Sequence, residues 1–291
     1  MSALPHNDSA QAVDAILRGV GDLAALPQVV YKVVELTGST MTAAQELERT
    51  ISVDPGFSSK ILMLANSAYY ALPRKLTSIS EAVTMLGFKT VRQLAMTIGV
   101  FEVFIGKNDA NSLRRRTWWR HSVDTALCAQ TLARITGMVP HDEAYTCGLL
   151  HDIGKPILDR YAEPPYEEVT VLVEAGMDAV RAEARIYGCD HASLGGAAAV
   201  QWGFPETLCQ SIREHHVADP ERPTARLATT VVANVFAKLI VDGASGEEES
   251  EIVQRFPAWA LSTLGLDELK LNNALRASRE AVATKAAMGA F

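Results

Sequence analysis

Apolar residues recur every three to four positions along nearly the whole chain, the spacing that gives a helix one buried face. Between Leu26 and Leu36, the residues Leu26, Val29, Val30, Val33 and Val34 share a face, and Gly38 follows as a stop signal. Thr42 is expected to cap a run reaching Ile51, with Glu46 near its first turn. Asp54-Pro55 opens the next helix, because Asp accepts from free N–H groups and Pro suits the first turn. That helix carries Phe57, Ile61, Leu62, Leu64 and Ala65. Ser78 or Ser80 caps a short helix ending at Gly87, and Phe88 to Phe104 continues helically. Alternating β-branched runs between turn signals are absent from the sequence, so the fold class is all-α.

The polar stretch Gly106–Ser112 is the expected internal boundary. It divides an N-terminal helical layer (21–105) from a helical bundle (112–242) that begins around Trp118, Trp119 and His121. Residues 1–20 read as an extension. The stretch from Asp242 to Glu251 reads as a solvated acidic loop, setting off a C-terminal helical tail, 243–291. Phe256, Trp259, Leu261, Leu264 and Leu266 of that tail are expected to pack back on the bundle, with a homodimer contact as the alternative.

Composition narrows the class. The chain has 291 residues, 48% hydrophobic and 21% charged, which suits a folded globular protein rather than a disordered one. A formal net charge of -7 argues against a wholesale nucleic-acid binder. The first residues, MSALPHNDSA, lack the basic and apolar regions of a secretory signal. The least polar stretch, Leu227 to Ala237, is about half the length of a membrane span. A cytoplasmic, membrane-free protein is the expectation. Four cysteines (Cys128, Cys147, Cys189, Cys209) form no CxxC pair and read as reduced, buried residues. In the run RRRTWWR (Arg114–Arg120), the tryptophans are expected to anchor a helix while the arginines stay solvated.

Histidine placement carries the chemistry. Five of seven histidines (His121, His151, His191, His215, His216) fall within or at the end of a helical segment. His151 precedes Asp152 in CGLLHDIGK, and an imidazole beside a carboxylate suits a divalent metal inside a helical bundle. Adjacent helix residues point about 100° apart, so both can reach one ion only near a helix end, which Gly154 is expected to mark. The competing reading is a buried core pair without metal. His191 on its own reads as a helix cap, and adjacent His215 and His216 leave open whether one or both are ligands. His6 and His141 read as surface residues. Asn66 is expected to bond the frayed end of its preceding helix, with the following tyrosines packing one layer on the other.

The motif LHDIGK (150–155), with His121 in RHS, HASLG (191–195) and REHH (213–216), resembles the HD superfamily of metal-dependent phosphohydrolases. The first half is similar to its HDOD branch, found in bacterial signalling proteins. That likeness rests on Leu26-Pro27, on ISVDPGFSSKILMLANSAYY (51–70) and on SISEAVTMLGFKTVRQL (78–94). It runs from about residue 20 to about residue 242 and implies an HDOD-like helical fold, a regulatory role and, often, a decayed catalytic site.

In the related HD-GYP enzymes, which hydrolyse cyclic di-GMP, the positions matching His121, His151, Asp152, His191, His215 and His216 bind metal. The resemblance therefore implies one or two transition-metal ions (Fe, Mn, Ni or Zn), with Asp152 bridging or anchoring them and Lys155 holding a substrate phosphate. A closing Asp is replaced here by Asn234, which brings no charge. The GYP segment is missing as well, since VADPERPT follows His216, so cyclic di-GMP hydrolysis is not favoured. Two functions stay open. One is a regulatory module that binds a signalling protein or a small nucleotide-like ligand. The other is a phosphohydrolase in which Asp152 and Lys155 serve catalysis on a phosphate ester.

Overall fold

The computed structural model describes residues 6–20, 28–36, 41–106, 111–243 and 252–287. Among them every regular element is a helix. Helix α1 (His6–Val20) is followed by α2 (Gln28–Glu35), α3 (Met41–Ser52), α4 (Pro55–Ala65), α5 (Ile79–Leu86) and α6 (Phe88–Ile105). The Asp54 carboxylate accepts from the N–H groups of Gly56 and Phe57, with Pro55 in the first turn as expected. Ser78, not Ser80, caps α5 by accepting from the Glu81 N–H, and Glu81 accepts in return from the Thr77 N–H at 2.8 Å. Helix α3 begins at Met41, so Thr42 lies inside its first turn rather than at the cap. Asn66 also departs from expectation. Its side chain bonds both the carbonyl (2.9 Å) and the N–H (2.7 Å) of Leu76, pinning the loop to α5. Leu26-Pro27, Gly38 and most of the acidic run lie outside the described residues, as do the side chains of His6 and Tyr69.

Helices α2, α4 and α5 pack on α6, whose other side meets the bundle. Val91, Ala95 and Val100 of α6 are buried in that shared core. The bundle comprises α7 (Ser112–Thr136), α8 (His141–Leu150), α9 (Gly154–Tyr161), α10 (Glu167–Glu174), α11 (Ala179–Tyr187), α12 (His191–Gln201), α13 (Glu206–Arg213) and α14 (Ala225–Val241). Trp119 sets its ring against Phe101 and Phe104 at 5.3 and 5.6 Å, joining α7 to α6. In the tail, α15 (Ala258–Leu264) packs on α14 and α16 (Glu268–Ala287) on α7. Phe256 meets Phe236 edge-on at 5.6 Å, and Leu264 and Leu266 are buried, so this segment does fold back on the bundle. Helix α1 lays Val13 and Leu17 against α9 and α12 of the bundle. The four cysteines are buried and free. No described helix is long and apolar enough to cross a membrane.

The arginine run corrects an expectation. Arg115 is only 1% exposed; its Nε donates to the Ile105 carbonyl (3.1 Å) and its Nη1 to Asp159 (2.7 Å). Arg114 also pairs with Asp159 and stacks over Trp118 and Tyr166. These two side chains are structural because a buried carboxylate on α9 needs them, while Arg116 and Arg120 remain exposed. Asp159→Ala leaves Arg115 buried without its carboxylate and should cost about 3–5 kcal/mol in urea unfolding. Arg116→Ala should stay within about 0.5 kcal/mol of wild type.

Candidate metal centre

The HD pair sits in a turn. Helix α8 ends at Leu150, His151 forms its C-cap, and α9 starts at Gly154, so Gly154 opens the next helix rather than marking the end of α8. The reason is contact: a Cβ at Gly154 would lie 2.0 Å from the His191 carbonyl oxygen. One atom of side chain would separate α9 from α12 and pull His191 away from Asp152. Gly148 acts likewise between α8 and α7, where a Cβ would stand 2.8 Å from the Ala126 Cα. His191 is the first residue of α12; Asp190, not His191, caps that helix by accepting from the Ser193 N–H.

All six histidine and aspartate positions read from the sequence converge. They form two donor sets that share Asp152: His191, His215 and His216 on one side, His121 and His151 on the other. His191 Nε2 is 3.1 Å from Asp152 Oδ1, without the alignment of a hydrogen bond, and His215 Nε2 is 3.5 Å from the same oxygen. His151 Nε2 and His121 Nε2 lie 3.4 and 3.8 Å from Oδ2. His216 Nε2 stands 3.1 Å from His191 Nε2, so both of the adjacent histidines reach the cluster. Asn234, on α14, offers Oδ1 to His121 Nε2 at 3.0 Å. Lys155 donates to Asp152 Oδ2 at 2.6 Å. His141 lies elsewhere, half-buried at the start of α8.

The far nitrogens show how the set is aimed. His151 Nδ1 donates to the Gly148 carbonyl (2.8 Å) and His215 Nδ1 to the Ile212 carbonyl (2.7 Å). A carbonyl can only accept, so each neutral ring carries its lone pair on Nε2, facing Asp152. Those two Nε2 atoms and Asp152 Oδ1 are buried and have no hydrogen-bond partner. Buried polar atoms left without partners are costly, and these three, divided between two donor sets that share Asp152, fit divalent cations of the borderline kind that imidazole and carboxylate favour.

Glu183, absent from the candidates read from the sequence, is fully buried. It accepts from His191 Nδ1 (2.6 Å), from the His191 N–H (2.9 Å) and from the Tyr166 hydroxyl (2.5 Å). A carboxylate behind a ligating imidazole fixes its tautomer and raises its basicity. A signal was present: Glu183 lies on the α11 face that also buries Tyr187, an odd place for an unpaired acid. Lys238, one turn beyond Asn234 on α14, was also missed.

Electrostatics follow from these contacts. Burial alone would raise the Asp152 carboxyl, but the Lys155 ammonium and the protonated His191 outweigh it and hold it well below the usual carboxylate range. Burial lowers His121 to about 4 despite Asp152, and lowers His151 and His215, so these rings are neutral and ready to ligate at pH 7. His216, an exposed residue, is lowered by desolvation of its ring and by His215 and His191 beside it. His191 differs: burial is overcome by Glu183, with Asp152 adding, and its pKa rises to about 9. A cation at this position must displace that proton. Desolvation and the Lys155 charge lower Lys238, which marks a positive rim beside the cluster.

The profile of the HDOD domain matches residues 23–218. Over 96% of this chain and 98% of the other, the structure superimposes with a TM-score of 0.78, at 25% identity, on an HDOD domain protein of unknown function from Geobacter sulfurreducens. A candidate phosphohydrolase from Shewanella amazonensis SB2B shares the fold with a TM-score of 0.70, at 24% identity, over 93% of this chain and 97% of the other. A candidate metal-dependent phosphohydrolase from the same organism shares it at a TM-score of 0.55 and 19% identity, over 95% and 99%. An uncharacterized protein of Treponema pallidum (strain Nichols) is 25% identical over 234 residues, 79% of this chain. The chain spans less than half, 45%, of that relative.

Glu183→Gln keeps the shape but removes the charge behind His191. Transition-metal affinity measured by competition with a chelator should fall about 10- to 100-fold, with the helical circular dichroism unchanged.

Proposed function

From a chain that belongs to the HDOD domain family and keeps most HD-type donors, with Asn234 in place of the closing Asp, we propose a regulatory, signal-transducing module built around a bound transition metal. The observation that carries this reading is the trio of buried, unpartnered atoms, His151 Nε2, Asp152 Oδ1 and His215 Nε2, gathered at the Asp152 carboxylate. His191, His215, His216 and Asp152 would hold one ion, and His121, His151 and Asp152, with the Asn234 carbonyl, a second. The first position has Glu183 behind it; the second has an uncharged Asn and the Lys155 ammonium on the shared oxygen. Charge therefore favours the first, and Fe, Mn, Ni and Zn all suit its nitrogen and oxygen donors. Signalling output in this reading passes to a protein partner or a nucleotide-like ligand. Four free, buried cysteines accord with the reducing cytoplasm.

A second reading, phosphohydrolase, is favoured by Lys155 and Lys238 beside the cluster. A bound metal would lower the pKa of a water so that it can attack phosphorus. The chain's own part would be to place a phosphate against Lys155 and to keep His121, His151 and His215 neutral.

Elemental analysis of the purified protein tests both. The wild type should carry close to one tightly held equivalent of transition metal, and Asp152→Ala should carry none. A well-folded wild type free of metal, and unable to take it up, would sink the metal-bound reading. If metal-loaded protein turns over bis(p-nitrophenyl) phosphate and Lys155→Ala loses turnover while keeping its metal, the enzyme reading prevails. Metal without turnover leaves the module.

A further inference from the structure

A cavity of about 200 Å³ opens where the two layers meet, and it shares no lining residue with the histidine cluster. Helix α6 contributes Arg92 and Met96, α8 contributes Glu143 and Cys147, and α13 and α14 add Leu208 and Arg226. Met96, Cys147 and Leu208 are buried and give it an apolar floor.

The two arginines differ. Arg226 is hydrogen-bonded: its Nε and Nη2 both donate to Glu143 Oε2, at 2.8 and 2.5 Å. Arg92 is not. Its side chain is 15% exposed, yet the nearest acid oxygen, Asp142 Oδ2, lies 3.9 Å from Nη1, beyond hydrogen-bonding distance. Asp142 is shared with Lys89 at 3.7 Å. Among the described residues nothing accepts a hydrogen bond from the Arg92 guanidinium. The Arg92 guanidinium therefore lines the cavity with its donors free for a ligand, and a planar carboxylate matches that fork with two parallel bonds.

We infer that this cavity binds a small monocarboxylate, its carboxylate on Arg92 and its apolar body on Met96, Cys147 and Leu208. The charge supports a single negative group. Arg92, Arg226 and Lys89 against Glu143 and Asp142 leave one net positive charge, which a phosphate dianion would overshoot. The volume falls below the roughly 300–1,000 Å³ of drug-sized ligands, so the occupant is of short-chain or single-ring size. Its position gives it a regulatory role. Cys147 lies one turn before His151, Leu208 two turns before His215, and Arg226 two turns before Asn234. A ligand here touches α6 of one layer and three bundle helices, α8, α13 and α14, that carry or lead directly into metal-binding side chains. Ligand and metal affinities are then coupled reciprocally. The site does not depend on whether the metal centre hydrolyses anything.

Titration calorimetry of the full chain with isovalerate, hexanoate and phenylacetate tests the inference, with the matching alcohols and inorganic phosphate as controls. At least one carboxylate should bind saturably at one site per chain, and neither the alcohols nor phosphate should. Arg92→Met should raise its Kd about tenfold or more. Thr207→Trp, a substitution of an exposed residue lining the cavity, should block binding without touching the core, and decides the matter should Arg92→Met fold poorly. Both variants should keep wild-type metal content. Three carboxylates that fail to saturate, an alcohol that binds as well as its acid, or wild-type affinity in a folded variant would overturn the assignment. None of these results bears on the metal content that tests the proposed function.

Discussion

Asp152 is 1% exposed, in the turn between α8 and α9, and its charge has to be compensated where water does not reach. The bundle is arranged around that requirement. Helix α7 brings His121, the end of α8 brings His151, α9 brings Lys155, α12 brings His191, and the turn after α13 brings His215 and His216. Among the described residues Lys155 is the one permanent cation in contact, and it engages Oδ2 alone. Oδ1 faces imidazoles with no hydrogen bond of its own. A folded chain does not gather this many polar atoms around one carboxylate for stability, since an apolar core of the same volume would hold together better. The cost is characteristic of a site that binds something.

Close helix contacts make the convergence geometric rather than incidental. Glycines at 148, 154 and 196 let α8 meet α7, α9 meet α12, and α12 meet the end of α13, each where a Cβ would collide with its neighbour. All three contacts are thus backbone against backbone or backbone against the root of a side chain. Such contacts do not loosen gradually. Packing sets where the donor atoms stand, before any ion contributes.

Much of this was legible in the sequence. The 3.6-residue period gave the helices, Asp54-Pro55 and Ser78 gave their starts, and the HD pair with four further histidines gave the cluster. These signals are local, or identify residue types whose chemistry is distinctive. What escaped was set by tertiary contact. Glu183 looks like any acid in an amphipathic helix until Tyr166 and His191 close over it. Arg115 looks solvated within a basic run until Asp159 meets it from a helix some forty residues on. Asn66 reads as a cap because caps are local, whereas its partner, Leu76, lies ten residues away. The role of Gly154 was misjudged for the same reason: a glycine can end a helix or admit a neighbour, and only the neighbour decides.

The same packing limits how such a centre can be controlled. With Asp152, His151 and His215 fully buried and aimed by backbone carbonyls, side-chain rotation offers little freedom. A change in the centre requires α8, α13 or α14 to move as bodies, and dense interiors transmit such displacements rather than absorb them. Helix α6 is the natural lever, since it carries the N-terminal layer on one side and packs against α7, α8 and α9 on the other. Its contact with α7 is the Trp119 ring wedged between Phe101 and Phe104, a stiff joint. Toward α8 the wall opens instead into the cavity lined by Arg92 and Met96. The N-terminal layer therefore meets the metal-binding bundle through one rigid seam and one yielding one, and it is the yielding seam that abuts the helix ending at His151.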